Sequence, residues 1–459
     1  MKNMTLECMA VACKGQLYNG DDRQGIEVSG VVIDSRQVEV GSIFIATRGE
    51  RVDGHSYIDQ VMEQGAIGII CEKPPVTEGY PYILVEDSFL ALKQVATYYR
   101  MQLEIPMIAI VGSVGKTSTK EMVATVLEEQ YCVHKTQGNY NNEIGLPLTI
   151  LQIRKEHEVA VLELGINQFG EMDRLGQMAQ PDYVIITNIG QCHLEFLESQ
   201  AGILQAKSEI LAHVVQGGTV FINGDDPYLS SIEPTSSYTI CSYGRSNHNQ
   251  VYDKEVSSLG LRGSHGIFVI GEQLLEVEIP IPGEHTIYNA LAATAIGTTM
   301  GLSLEQIQTG MGRAKTIGGR SHLLFEEKRI IIDDCYNANP VSMKAAIELL
   351  CLSNTRKVAI LGDMGELGEE KITMHEEVGR FVAQSQVDVC ICIGTLSKYM
   401  AEAVSQNGGE SCKVLWFHTV KSLLEELEDH IEEEDTILIK ASHAMEFHKI
   451  VERLTAKHL

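Results

Sequence analysis

The chain has 459 residues, 44% hydrophobic and 21% charged, the balance of a globular protein large enough for about three domains. A formal net charge of −26 disfavours nonspecific binding to nucleic acid or anionic lipid, so an anionic ligand needs a locally built site. Eleven cysteines without a Cys-x-x-Cys pair disfavour a disulfide framework; the apolar runs are too short for a membrane helix, and the opening residues lack a signal-peptide core.

Residues 1–85 carry short β-rich runs at 31–33, 42–46, 67–71 and 82–85 between turns, the pattern of a small α/β module. The apolar spacing of 89–100 predicts a helix leading into a second segment. That segment, 86–316, alternates predicted strands at 107–111, 159–164, 183–187 and 219–222 with helical stretches, which implies a parallel sheet with both faces covered. Ligands of such sheets lie beyond the carboxyl ends of the strands. Residues 235–280 read as a β-rich insertion of no assignable topology. The third segment, 317–459, has predicted strands at 329–334, 357–361, 387–393, 414–417 and 436–440 with helices between them. It is Rossmann-like in its alternation, but the missing Gly-x-Gly-x-x-Gly disfavours a dinucleotide. The acidic stretch 425–435 reads as a solvated helix face.

Chemistry concentrates after the run 107–111. Gly112-Ser113-Val114-Gly115-Lys116-Thr117-Ser118 follows an apolar strand and opens a helix, the layout of a nucleotide phosphate loop. Backbone amides would meet the phosphates, Lys116 would reach the β and γ oxygens, and the Thr117 hydroxyl would face Mg²⁺. The long form of the motif places a glycine where this chain has Ile110, so only Gly-x-x-Gly-Lys-Thr is present. Glu163, a carboxylate inside Val-Leu-Glu-Leu-Gly at a strand end, is expensive to bury without a cation, and is either a metal ligand or a solvated strand end. On sequence physics alone His193 is an ordinary loop histidine and Lys207 a solvated helical lysine. The amide-rich run 136–148, with Thr136, Asn139 and Asn142, is a capped turn or a substrate-gripping loop. A second polar loop, 333–340, offers Asp334 and Asn337 to a cleft between domains. Arg320 either neutralises phosphate charge or caps a helix.

Taken in order, these motifs resemble those of the Mur ligase family, the ATP-dependent amide ligases that build the peptidoglycan precursor in the bacterial cytoplasm. The resemblance covers essentially the whole chain. Asp34-Ser35-Arg36, Gly41 and Asp53-Gly54-His55 are similar to the module that holds a UDP-sugar, and the short phosphate loop, Ile110 included, is a mark of the family. Glu163, His193, Asn289, Arg320 and Asp334 fall in the order of the family's functional residues. The resemblance implies a catalytic set of Lys116, Glu163, His193 and Lys207. It also implies a nucleotide set of residues 112–118 with Asn289, Arg320, Asp334 and Asn337, and substrate contacts from Ser35, Arg36, Thr136, Asn139 and Asn142. Two Mg²⁺ are implied, held by Thr117, Glu163, His193 and Lys207, the lysine being carbamylated.

The runs 138–145 and 336–340 are similar to those of the branch that adds D-alanyl-D-alanine to UDP-N-acetylmuramoyl-tripeptide. The division implied is 1–85 for the UDP-sugar, 86–316 for ATP and 317–459 for D-Ala-D-Ala, in a monomer. A family member adding a single amino acid, or a nucleotide-gated binding protein, are the alternatives. Two departures stand out: Lys440-Ala441-Ser442-His443 replaces the frequent Lys-Gly-Ser-Arg, and Val114 stands where asparagine is frequent.

Overall fold

Strand-forming runs of valine and isoleucine, separated by helices, assemble into three sheets. The computed structural model describes residues 1–49, 52–192, 194–316, 318–408 and 411–455. The first sheet holds β1 (Gln16–Tyr18), β2 (Val31–Val32), β3 (Ile43–Ile45), β4 (Gly68–Cys71) and β5 (Tyr82–Leu84) in the order β1-β5-β4-β3-β2. Only β1, which the sequence pattern does not predict, runs antiparallel to its neighbour. The helix Ser88–Arg100, capped by the Asp87 carboxylate on Leu90 N–H at 2.9 Å, leads into the second domain as the apolar spacing predicts.

The middle sheet contains β6 (Met107–Val111), β7 (Val133–Lys135), β8 (Val159–Glu163), β9 (Tyr183–Ile186), β10 (Gly218–Asn223), β11 (Tyr238–Gly244), β12 (Val251–Ser258), β13 (Ser264–Ile270) and β14 (Gln273–Ile279). Their order is β14-β13-β12-β11-β10-β9-β6-β8-β7, with β6 between β8 and β9. All five residues of β6 are fully buried, and their side chains alternate between two cores. Met107, Ala109 and Val111 pack in the core that Leu92 and Val95 of the helix 88–100 share; Ile108 and Ile110 pack with the helices Lys116–Leu127 and Glu284–Thr299. A strand buried on both faces reads as a continuous apolar run, which is why β6 was legible. The insertion resolves into β11–β14, and the sheet is mixed: β12, β13 and β14 are antiparallel, extending the parallel part.

The third sheet joins β15 (His322–Phe325), β16 (Ile330–Asp333), β17 (Lys357–Gly362), β18 (Val389–Ile393), β19 (Lys413–Phe417) and β20 (Thr436–Lys440) in the order β15-β16-β20-β17-β18-β19, parallel apart from the edge strand β15. The architecture is therefore three-domain α/β. Among the described residues no helix is long and apolar enough to cross a membrane.

Candidate active site

The carboxyl end of β6 turns into the helix Lys116–Leu127 through two residues that only glycine fits well. Gly112 has φ +153°, and a Cβ there would lie 1.9 Å from Thr187 Oγ1. Gly115 has φ +84°, the left-handed region. The residues after β9 clamp the loop between them. Thr187 Oγ1 donates to Val114 C=O at 2.7 Å, and Asn188 grips the same residue twice, accepting from its N–H at 3.0 Å and donating to its C=O at 2.9 Å. Ser113 N–H donates to Asn188 C=O at 3.0 Å and Ser113 Oγ to Gly190 C=O at 3.1 Å. Among the described residues no side chain caps the helix, whose first turn closes with Thr119 N–H on Gly115 C=O at 2.8 Å. The amides of the first turn thus have no intrahelical partner and form an anion cradle at the positive end of the helix. Lys116 folds back over it, Nζ donating to Gly112 C=O at 2.8 Å. Burial pushes the Lys116 pKa down, against the opposing pull of the Glu163 charge.

Glu163 ends β8, next to β6, and is 1% exposed. Asn141 Nδ2 donates to its Oε1 at 2.8 Å, and its N–H donates to Thr136 Oγ1 at 2.9 Å. Its other oxygen, Oε2, is buried without a hydrogen bond among the described residues, and so is Thr117 Oγ1. Two orphaned hard oxygens at the mouth of a phosphate cradle match Mg²⁺, which takes one or two protein oxygens and completes its shell with phosphate and water. Among the described residues no cluster of three or more His, Cys, Asp or Glu could hold a metal unaided. Lys207, on the helix Gln200–Ser208, is 2% exposed rather than solvated; burial brings its pKa down to about 8 against an opposing pull from Cys192, with a smaller push from the Lys116 charge. His193 lies outside the described residues.

The third domain lies across this cradle. Asp334, just past β16, accepts from Ser321 N–H at 3.0 Å and from Lys440 Nζ at 2.7 Å, and Lys440 also donates to Asn337 C=O at 2.9 Å. The half-buried His285, near the start of the helix Glu284–Thr299, has its pKa lowered first by desolvation, and it feels both charges of that pair. Arg320 stands over the ring of Tyr336 and acts electrostatically on Lys116. Asn289 accepts from Thr119 Oγ1 at 2.9 Å. His285, Asn289, Arg320, Ser321, Ser118 and Thr316 line one small cleft between the two domains. Further along, a Cβ on Gly368, past β17, would sit 3.7 Å from Glu195 Cα, so this segment touches the helix Leu194–Leu197.

The remaining sequence-predicted residues serve other ends or stand apart. Asn142 Oδ1 accepts from Ile144 and Gly145 N–H, capping the helix Gly145–Leu151; Asn139 is exposed; the Asn337 side chain accepts from Ala338 N–H beside it. In the first domain Asp34 Oδ1 accepts from Arg36 N–H, and Asp34 Oδ2 ion-pairs with the exposed Arg36 guanidinium at 2.6 Å, leaving Ser35 in a short turn. The sequence alone assigned no individual role to Asn141, Asn188, His285 or Glu143. Glu143 ties the loop 136–148 to Lys93 at 2.8 Å and Arg174 at 2.7 Å. The amide richness of that loop was the available signal.

Three α/β domains closing on a short phosphate loop define the class, and the comparisons agree with it domain by domain. Residues 27–107 match the Mur ligase family catalytic domain, 110–297 the Mur ligase middle domain, and 319–443 the Mur ligase glutamate ligase domain. The chain belongs to the Mur ligase family. It is 38% identical to the UDP-N-acetylmuramoyl-tripeptide–D-alanyl-D-alanine ligase of Bacillus subtilis (strain 168), with 99% of each chain covered. The enzyme of the same name from Escherichia coli (strain K12) is 30% identical, again over 99% of each. Among solved structures, MurF from Acinetobacter baumannii superimposes with a TM-score of 0.89 at 32% identity, covering 99% of both chains. MurF ligase from Thermotoga maritima, in complex with ADP, gives 0.81 at 29% identity, covering 92% of this chain and 96% of that one.

Proposed function

We propose that this protein joins D-alanyl-D-alanine to UDP-N-acetylmuramoyl-tripeptide at the expense of ATP, releasing ADP and phosphate and making the pentapeptide precursor of peptidoglycan. The observation that carries the reading is the pairing of an uncapped phosphate cradle with two buried, unpartnered oxygens, Thr117 Oγ1 and Glu163 Oε2, beneath a domain that supplies Arg320 and Asp334. The similarity to the named ligases, which spans the whole chain, selects the substrates. The chain is taken to act as a cytoplasmic monomer, with 1–85 receiving the UDP-sugar through Ser35 and Arg36, 86–316 the ATP, and 317–459 the incoming dipeptide.

A carboxylate is a poor acyl donor, so the tripeptide carboxylate first attacks the γ-phosphorus of ATP, giving an acyl phosphate and ADP. The free amine of D-Ala-D-Ala then adds to the acyl carbon; the tetrahedral adduct loses a proton from nitrogen and expels phosphate. Lys116 and the amides at the start of its helix stabilise charge on the transferring phosphoryl group. Thr117 and Glu163 would hold one Mg²⁺ and a carbamylated Lys207 with His193 a second, the cations offsetting the repulsion between carboxylate and γ-phosphate. Thr136, Asn139 and Asn142 belong to the loop that would grip the tripeptide. Asn289, Asp334 and Asn337 would orient the nucleotide, while the third domain excludes water from the acyl phosphate.

The test supplies purified protein with ATP, Mg²⁺ and UDP-N-acetylmuramoyl-tripeptide, and offers D-Ala-D-Ala or single amino acids as acceptor. Phosphate release and a new amide with the dipeptide support the reading. Amide formation only with a single amino acid would assign the chain to another step of the family, and no acceptor-dependent phosphate release would end the enzyme reading.

A further inference from the structure

Arg320 is held in an unusual way for a cation in so acidic a protein. Among the described residues it has no ion pair; its guanidinium carbon instead stands 4.0 Å from the centroid of the Tyr336 ring. The backbone on both sides of it is pinned to the loop that carries the ring. Gly319 N–H donates to Asp333 Oδ2 at 2.8 Å, Ser321 N–H to Asp334 Oδ1 at 3.0 Å, and Tyr336 N–H returns to Gly319 C=O at 3.0 Å. Gly319 has φ +77°, and a Cβ there would come within 3.3 Å of Tyr336 Cβ, so ring and arginine are packed as one unit. Burial chiefly lowers the Lys116 pKa, and the Arg320 charge adds a smaller push in the same direction.

A carboxylate under Arg320 would hold it firmly but would occupy N–H donors of the guanidinium fork and cancel its charge. An aromatic face holds the plane through its quadrupole and accepts none of the in-plane N–H groups. We propose that Tyr336 is a positioning residue that presents Arg320 to the phosphate chain of the nucleotide with its donors free. The proposal rests on the ATP-using reading above.

The test measures affinity of the full-length protein for a non-hydrolysable ATP analogue with Mg²⁺, together with KM for ATP and kcat. Tyr336→Phe keeps the ring and should bind within about twofold of wild type. Tyr336→Leu and Tyr336→Met keep bulk without the ring and should lose roughly five- to thirtyfold in affinity, the span of a desolvated cation–π contact. Tyr336→Glu, which offers an ion pair, should lose at least as much. In an Arg320→Ala background the Tyr336→Leu change should cost little more, because its partner is already gone. Losses that add, a Phe variant as weak as Leu, or a Glu variant that binds normally would overturn the proposal even if wild type remains an active ligase. A wild type that binds no ATP analogue overturns both this proposal and the functional reading. The Leu and Met variants should melt together; if both fail to fold, the Phe and Glu variants decide the matter.

Discussion

Asn188 holds Val114 by both ends of its backbone, accepting from the N–H at 3.0 Å and donating to the C=O at 2.9 Å. The Val114 amide is therefore engaged by protein, and the phosphate must be met by the amides of residues 115–118 that follow. This explains how the loop tolerates valine where asparagine is frequent: the clamp uses only the backbone of residue 114. We predict that Val114→Asn changes nucleotide affinity by no more than about threefold, whereas Asn188→Leu, which removes two hydrogen bonds worth about 1 kcal/mol each, costs roughly thirtyfold. Calorimetric titration with an ATP analogue checks both. Equal losses in the two variants would mean that the side chain at 114, not the clamp, shapes the loop.

Glu163 should separate chemistry from folding. Its Oε1 is satisfied by Asn141 and its Oε2 by nothing among the described residues. Glu163→Gln retains an acceptor for Asn141 and removes the charge that faces the cradle. We expect kcat to fall by roughly a hundredfold or more and the half-saturating Mg²⁺ concentration to rise, with the melting temperature unchanged or higher because a buried charge is gone. A variant with normal Mg²⁺ dependence would remove Glu163 from the metal site.

The central strands and the loop after β6 were legible because their signals are local: a doubly buried strand is a continuous apolar run, and Gly112 and Gly115 mark backbone conformations that other residues resist. The side chains that complete the site were harder to choose. Asn139, Asn141 and Asn142 are alike in sequence, and only the tight turn that brings Asn141 N–H to Asn139 C=O at 2.7 Å selects Asn141 for Glu163. The insertion 235–280 was opaque for a different reason. β11 and β12 are parallel but pair only through Tyr243–Val251 and Gly244–Tyr252, so a six-residue link suffices where a full parallel pair would need a crossover helix. Burial of Lys207 is likewise a tertiary fact, since a helical lysine is solvated by default.

Stability should fall in mild acid through His134. Its Nε2 stands 2.9 Å from Thr149 C=O, and burial pushes its pKa from 6.5 down to about 4. The fold prefers the neutral ring, so stability is complete above the unfolded value near 6.5. It declines as pH falls toward 4 and levels off below, for a loss on the order of 3 kcal/mol. His157, 4.9 Å away and also lowered by burial, contributes in the same window. His134→Gln, which keeps an N–H donor for Thr149, should flatten the dependence of unfolding free energy on pH between 4.5 and 7 in urea titrations. A slope as steep as wild type would place the acid sensitivity elsewhere.

Lys207 carries the last prediction. It is 2% exposed and sits close enough to Lys116 for the two charges to repel, so an ammonium there is disfavoured twice, by burial and by its neighbour. A neutral amine is the form that adds to CO₂, releasing a proton and leaving an anionic carbamate, which would reverse the local charge and give a cation two oxygens. Wild-type activity should therefore fall in CO₂-depleted buffer and return on addition of bicarbonate. Lys207→Ala should lose roughly a hundredfold or more in kcat at every bicarbonate concentration, the scale of removing a metal ligand. Its circular dichroism spectrum and nucleotide affinity should stay near wild type, because the phosphate loop is clamped from β9 and not from the helix that bears Lys207. A wild-type rate indifferent to bicarbonate would dismiss the carbamate. An alanine variant of normal rate would dismiss any role for Lys207 in the chemistry.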